Sequence, residues 1–336
     1  MKDRVAVIGA GVSGLTCGVL FAEAGHFVTI FADEIGSQTT SAAAGAIWFP
    51  YDAEPADAVI AWSLTTFARL REIARHPQSG VALVELRCFA RAGELPIPDW
   101  ANALNVRRLE LAELLHAFTS GFALTVPLID TTRYLAYLAD RLTDAGGSIM
   151  PDIHFDDLQF APRRELISDF DLVINCAGIG AQALVPDGDL EPHRGQVAIV
   201  SKIECEYAIV CDDEPLIYAL PHAASCVFGG TNTVSADRAP SARETAQIVT
   251  ECARVLGIAP PQVLENRVGL RPFRKSGVRL GLEATRVKPA VIHNYGQGGS
   301  GFTLSWGCAE QVLALATSRL NDSLGGCSPE TWPPPR

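Results

Sequence analysis

Apolar positions change period along the chain, and each change marks an element. Val5-Ala6-Val7-Ile8 is an unbroken apolar run, the pattern of a short strand covered on both faces. It breaks into Gly9-Ala10-Gly11-Val12-Ser13-Gly14, after which Leu15, Val19, Leu20 and Phe21 recur at helical spacing. Gly25-His26 supplies the glycine stop, and Phe27-Val28-Thr29-Ile30-Phe31 predicts a second buried strand. Further on, residues 61–73 and 132–145 predict helices, the latter stopped by Gly146-Gly147 before a strand start at Ser148-Ile149-Met150. Asp171-Leu172-Val173-Ile174-Asn175-Cys176 reads as another buried parallel-type strand, followed at once by Ala177-Gly178-Ile179-Gly180. Residues 104–120 show no clear period.

From residue 196 to 230 the texture turns to short alternating strands, near 197–199, 208–210, 217–220 and 226–228, the pattern of an antiparallel sheet. A helix over 241–256 interrupts it and 263–270 resumes it. Ala290-Val291-Ile292-His293-Asn294-Tyr295 then leads into Gly296-Gln297-Gly298-Gly299-Ser300-Gly301 and an apolar helix over 302–320. A second strand-glycine-helix junction therefore returns near the C-terminus. The expected fold class is α/β: a doubly wound nucleotide-binding domain, rebuilt by distant segments, with an antiparallel-sheet domain inserted between them. The division expected is 1–50, 128–190 and 288–325 for the first domain, and 51–127 with 191–287 for the second.

At 336 residues the chain has room for two domains and an ample core. Hydrophobic content of 48% and charged content of 19% describe an ordinary globular protein. A net charge of −11 argues against nucleic acid and anionic membrane as partners, since both require basic patches. The nine cysteines are scattered, mostly within apolar runs, and form no C-x2-C pair, so no metal site is expected. Buried reduced thiols point to a cytoplasmic protein. The first strand leaves no room for a signal peptide, no apolar run reaches membrane-spanning length, and residues 333–336 form a loose tail without a peroxisomal address.

The opening glycine run carries the clearest chemistry. Gly9 allows a tight turn, Gly11 lets a phosphate approach the backbone, and Gly14 lets helix and strand pack closely; Val12 and Ser13 complete the loop. Free N–H groups and the positive end of a helix dipole then face a pyrophosphate. Asp33 and Glu34, just past the second strand, suit an adenosine ribose. The segment licenses a dinucleotide without saying which.

Residues 39–46 read equally as an Ala-rich helix start or as a ligand edge. Thr39, Thr40 and Ser41 offer hydroxyls, and Ala44, Gly45 and Ala46 have little side chain to keep a flat ring away. The glycines at 296–301 read either as a flexible linker or, being clamped between a buried strand and a helix N-terminus, as a ligand loop; in a flavoenzyme they would stabilise negative charge on the reduced ring. Arg279, between apolar residues on a strand, needs a partner: a substrate carboxylate or a structural ion pair, with Arg267, Arg271 and Arg274 nearby. Tyr218 alternates within an apolar strand, where a core tyrosine is the base reading. His193 and His222 show no metal spacing, and no Ser-His-Asp or paired-carboxylate set indicates hydrolysis.

Taken in order, these segments resemble the D-amino-acid oxidase family in its bacterial short-loop form. The resemblance rests on Val7-Ile8-Gly9-Ala10-Gly11-Val12, Thr39-Thr40-Ser41, Trp48-Phe49-Pro50-Tyr51, Asn175-Cys176-Ala177-Gly178 and Arg194-Gly195-Gln196. It continues through Gly229-Gly230-Thr231, Val268-Gly269-Leu270-Arg271-Pro272, His293-Asn294-Tyr295-Gly296, Gly298-Gly299-Ser300-Gly301 and Trp306-Gly307-Cys308-Ala309. The matches span residue 5 to about 310. Gln297 stands where a histidine is common, and the stretch 211–215 lacks a second tyrosine that some members use as a lid.

The resemblance implies non-covalent FAD, a doubly wound FAD domain and an antiparallel substrate domain. It implies oxidative deamination of a D-amino acid, of neutral or apolar side chain, by hydride transfer from Cα to flavin N5, with oxygen reduced to hydrogen peroxide. By position, Tyr218 and Arg279 match the carboxylate-binding pair, and Gly299 the residue whose carbonyl holds the substrate amine. Asp33, Glu34, Thr39, Thr40, Gly45, Ala46, Gly298, Gly299, Ser300, Gly301, Phe302 and Thr303 match flavin contacts. Expected partners are thus a small amino acid and molecular oxygen, with a homodimer left open. Rival readings keep the flavin but change the substrate to glycine, a secondary amino acid or a biosynthetic amine. Others change the electron acceptor, as in a flavoprotein dehydrogenase, or leave an inactive flavin-binding module.

Overall fold

The computed structural model describes residues 2–50, 53–158, 164–283 and 288–324. Tyr51, Cys327 and the C-terminal tail lie outside them. Along the chain run β1 (Arg4–Ile8), α1 (Val12–Glu23), β2 (Phe27–Phe31), α2 (Ala56–Ile73), β3 (Val81–Ala90), β4 (Arg107–Arg108) and β5 (Ser120–Ile129). Then come α3 (Thr131–Asp144), β6 (Ser148–Met150), α4 (Arg164–Ser168), β7 (Leu172–Asn175), α5 (Ala181–Leu184), β8 (Leu190–Ser201), β9 (Tyr207–Cys211), β10 (Ile217–Pro221) and β11 (Ser225–Gly229). The chain closes with β12 (Thr233–Val234), α6 (Ala242–Leu256), β13 (Val263–Arg274), β14 (Arg279–Leu282), β15 (Ala290–Tyr295) and α7 (Gly301–Leu324).

Two sheets result. The first is six-stranded in the order β14-β15-β7-β1-β2-β6, parallel except for β14, which runs antiparallel to β15. Its apolar runs are buried on both faces: Val5 to Ile8 and all of β7 are inaccessible or nearly so. Helix α1 covers one side and packs against α3 and α7, joining N-terminal, central and C-terminal segments around Leu15, Val19, Leu138 and Val312. Strand β14 belongs to this sheet, so Arg279 is carried by the edge of the nucleotide-type sheet and not by the antiparallel one.

The second sheet is nine-stranded, in the order β12-β8-β11-β10-β9-β3-β5-β4 with β13 also on β8. It is antiparallel save for β3, which runs parallel to β9. The long β3–β5 pair is absent from the periodicity reading. Glu85 and Arg87 interrupt the apolar run of β3; their charges are matched by Arg107 and Glu113, and Arg87 stacks on Tyr207. Helix α6 packs on β10 and β11 through Ile248, Val249, Cys252 and Val255. Its start is set by the Ser241 side chain, which accepts from Glu244 N, and its end by Gly257 in the left-handed region (φ 68°).

Across the C-terminal helix, Trp306 Nε1 donates to the Tyr134 hydroxyl of α3 at 2.8 Å, both residues being buried. Tyr134→Phe removes the acceptor and leaves an indole N–H unpaired, which costs about 1–3 kcal/mol. A lowered denaturation midpoint in urea is expected; an unchanged midpoint would mean the pair adds nothing to stability.

Candidate active site

A cavity of about 500 Å³ lies between the two sheets. One wall is the loop from β1 into α1. Gly9 adopts φ +104° and its N–H reaches Phe31 O at 2.8 Å, tying the turn to β2. A Cβ on Gly14 would stand 1.9 Å from Gly9 O, so helix and loop touch backbone to backbone. No side chain caps the N-terminus of α1 at Gly11, and Gly9, Gly11, Val12 and Ser13 line the cavity there. Gly14 does not line it: its role is the close packing that holds the loop. Val12 N donates to Ser41 Oγ at 2.9 Å, which fastens the next wall to this one.

That next wall, residues 39–46, is not a helix. It is a run of overlapping turns, with Ala42, Ala43 and Ala44 N–H groups bonding three residues back, and Ala46 in the left-handed region (φ 55°). Thr39, Thr40, Ala44, Gly45 and Ala46 all line the cavity.

At one end of the cavity stand Asp33 and Glu34. Asp33 accepts from His154 Nδ1 at 2.8 Å, and this bond raises the imidazole pKa. Glu34 pairs with Arg238, which arrives from the loop between β12 and α6. His154 and Arg238 are cavity residues that periodicity did not single out; they approach only through contacts 121 and 204 residues away in sequence.

The second glycine loop closes the opposite end. Gly296 and Gly298 take positive φ (86° and 52°), and a single 3-10 turn, Gly298–Ser300, leads into α7. Gly298, Gly299, Gly301, Phe302 and Thr303 line the cavity, whereas Ser300 is buried behind it. The Thr303 hydroxyl is committed to the backbone of Phe49, donating to its carbonyl at 3.0 Å and accepting from its N–H at 3.2 Å. Gln297, in place of the common histidine, donates to Asn294 Oδ1 at 2.8 Å and braces the loop from below.

The remaining wall is one face of the β9–β10 hairpin. Alternation puts Val210 and Asp212 of one arm and Leu216, Tyr218 and Leu220 of the other on the cavity side. The Tyr218 ring lies where Cβ atoms on Gly45, Gly229 and Gly230 would fall at 2.9, 2.0 and 2.8 Å from it, so only glycine fits on either side of the ring. Tyr218 is therefore a cavity residue and not a core tyrosine. Arg271 also lines the cavity, lying over Gly195 and donating to Thr231 O at 2.9 Å.

Arg279 does not line it. Its Nη1 donates to the Tyr295 hydroxyl at 2.7 Å and stands 3.5 Å from Asp187 Oδ2, while Tyr295 in turn donates to Asp187 at 2.7 Å. Burial pushes the Asp187 carboxyl up, but the hydrogen bonds from Tyr295 and Arg274 outweigh it and hold its pKa below the usual carboxylate range. The Tyr295 phenol is pushed up to about 12, chiefly by burial. His293, two residues earlier on β15, is driven down to about 4 by burial and by the charge of Arg279. The strand register sets Arg279 opposite Tyr295, the residue immediately before the second glycine loop.

Over residues 4–315 the chain matches the family described as DAO, FAD dependent oxidoreductase. The chain belongs to that family. A D-amino-acid oxidase of Rubrobacter xylanophilus is 37% identical over 328 residues, covering 95% of this chain and 97% of that one. A D-amino-acid oxidase of Streptomyces coelicolor is 36% identical over 320 residues, covering 94% and 97%. Among solved structures, glycine oxidase of Geobacillus kaustophilus shares the fold with a TM-score of 0.77 at 19% identity, over 94% of this chain and 95% of its own.

The residues present fit FAD. The 12-residue helix α1 with its glycine cradle would hold a pyrophosphate, Asp33 and Glu34 would offer acceptors to a ribose, and the second glycine loop leads into another helix N-terminus. Among the described residues no group of acidic, histidine and cysteine side chains could hold a metal, and no helix is long and apolar enough to cross a membrane. Gly14→Ala forces backbone against backbone, so loss of bound flavin on purification is expected. Gly11→Ala meets only the Ser41 hydroxyl, at 3.0 Å, and is expected to keep the fold with weakened flavin affinity. Equal retention of flavin by both variants would contradict this assignment.

Proposed function

We propose that the chain oxidises a D-amino acid to its 2-imino acid, which water converts to the 2-oxo acid, using non-covalently bound FAD and molecular oxygen. The observation that carries the reading is the meeting, in one cavity, of two glycine-helix junctions with the Tyr218 face of the antiparallel sheet. The choice of D-amino acids over glycine or a secondary amine is supported by the relatives at 36–37% identity. Bound FAD supplies the acceptor for the substrate Cα hydride at N5 and delivers the electron pair to oxygen as hydrogen peroxide.

The chain's own task is orientation. Tyr218, locked between glycines, and the Arg279 guanidinium hold the carboxylate; the Gly299 carbonyl holds the neutral amine, whose lone pair assists the departing hydride. Fixing the Cα–H bond toward N5 in this way accounts for rate without a general base on the protein. The buried Asp187–Tyr295 pair presets the Arg279 head group. The setting is cytoplasmic, a reading supported by the eight cysteines among the described residues, all free and seven of them buried.

A second assignment of the carboxylate is favoured by one observation: Arg271 lines the cavity and Arg279 does not. Arg279→Ala is expected to lower kcat/KM for D-alanine by about 100-fold or more with flavin still bound, the scale of a lost positioning contact. Steady-state kinetics on Arg279→Ala and Arg271→Ala decide between them. Unchanged kcat/KM in the first and collapse in the second transfers the carboxylate to Arg271.

A further inference from the structure

We propose that Asp212 selects amino acids whose side chain ends in a cation, an inference that rests on the oxidase reading above. Two residues of strand advance about 6.6 Å. Asp212 is that far along the chain from Val210, which pairs with Tyr218, and it faces the same cavity. It therefore stands roughly one extended four-methylene arm from the tyrosine that grips the carboxylate.

Asp212 is water-accessible at the cavity surface, so its carboxylate is hydrated and open to a counter-charge there. Partial desolvation and the charge of Asp213 both act to raise its pKa, and no cation among the described residues pairs with it. The neighbouring cation, Arg91, is spoken for: its backbone N–H bonds Asp213 Oδ2 at 2.7 Å, its guanidinium bonds Pro215 O at 2.7 Å, and it pairs with Glu251 at 3.1 Å. Otherwise this cavity face of the hairpin is apolar, with Leu216 and Val210 next to the acid and Leu220 beyond Tyr218. Such a wall accepts methylenes, and a substrate that ends in a methyl group offers the carboxylate nothing in exchange for the water it displaces. A terminal ammonium or guanidinium satisfies it. The neutral or apolar side chain that the family resemblance implies fits the methylene wall but not its far end.

The test compares D-lysine with D-norleucine, which has the same arm without the ammonium, on the flavin-loaded enzyme and on Asp212→Asn and Asp213→Asn. The ratio of kcat/KM values for wild type should favour D-lysine by about three- to fivefold, and Asp212→Asn should remove that preference, the scale of a solvent-accessible ion pair. Asp213→Asn, whose side chain is turned to Arg91, should leave the ratio within about twofold of wild type, as for a charge change outside the pocket. A wild-type ratio at or below one, or equal losses in the two variants, overturns the assignment to Asp212. Failure of every D-amino acid to reduce the flavin would instead overturn the oxidase reading itself.

Discussion

The architecture depends on one close approach, the backbone of Gly14 against the carbonyl of Gly9. That contact sets α1 directly behind β1 and aims the helix N-terminus into the cavity, with Gly11 as an N-cap that has no side chain. A side chain at Gly14 would force the loop and helix apart, and one at Gly9 would strike the Cys176 backbone at the end of β7. The Ser41 hydroxyl then docks the 39–46 segment on the same helix end, and Gly45 of that segment sets the distance to Tyr218. One steric constraint thus propagates from the nucleotide loop to the substrate face.

The second constraint is charge. The cavity gathers an acidic end at Asp33 and Glu34 and two helix N-termini, with Arg238 of the β12–α6 loop and Arg271 of the antiparallel sheet reaching in. Arg238 pairs with Glu34 across the gap, so the two sheets are joined electrostatically at the end where a ribose would sit. Behind the second glycine loop, Asp187, Tyr295 and Arg279 form a hydrogen-bonded chain. Burial holds the tyrosine protonated, and the hydrogen bonds from Tyr295 and Arg274 hold the carboxylate ionised against that burial, over the physiological range. A group of this kind serves to hold a guanidinium in one orientation.

Much of this was legible in the sequence where the signal is local. The β1-α1-β2 unit, the glycines at 296–301 and the switch to alternating strands after residue 196 are each written in consecutive residues. Helix α6 was legible as the span 241–256. The β3–β5 pair was not legible, because Glu85 and Arg87 break its apolar pattern and find partners only in the folded chain. Residues 39–46 were balanced between helix and ligand edge; Ser41 bonding to α1 decides for turns. Asp212 was hidden within Asp212-Asp213-Glu214-Pro215, which reads as a solvated loop until the β9–β10 register shows which acid faces inward. The separation of Arg279 from Arg271 likewise required the strand pairing.

The central claim is that this cavity brings the Cα–H bond of a D-amino acid to a flavin. Anaerobic mixing of the flavin-loaded protein with panels of D- and L-amino acids, followed by admission of air, tests it most directly. Loss of the oxidised flavin absorbance with D-isomers alone, and peroxide released in step with its return, is the predicted result. Bleaching by L-isomers, by glycine alone, or by no amino acid at all would contradict the account.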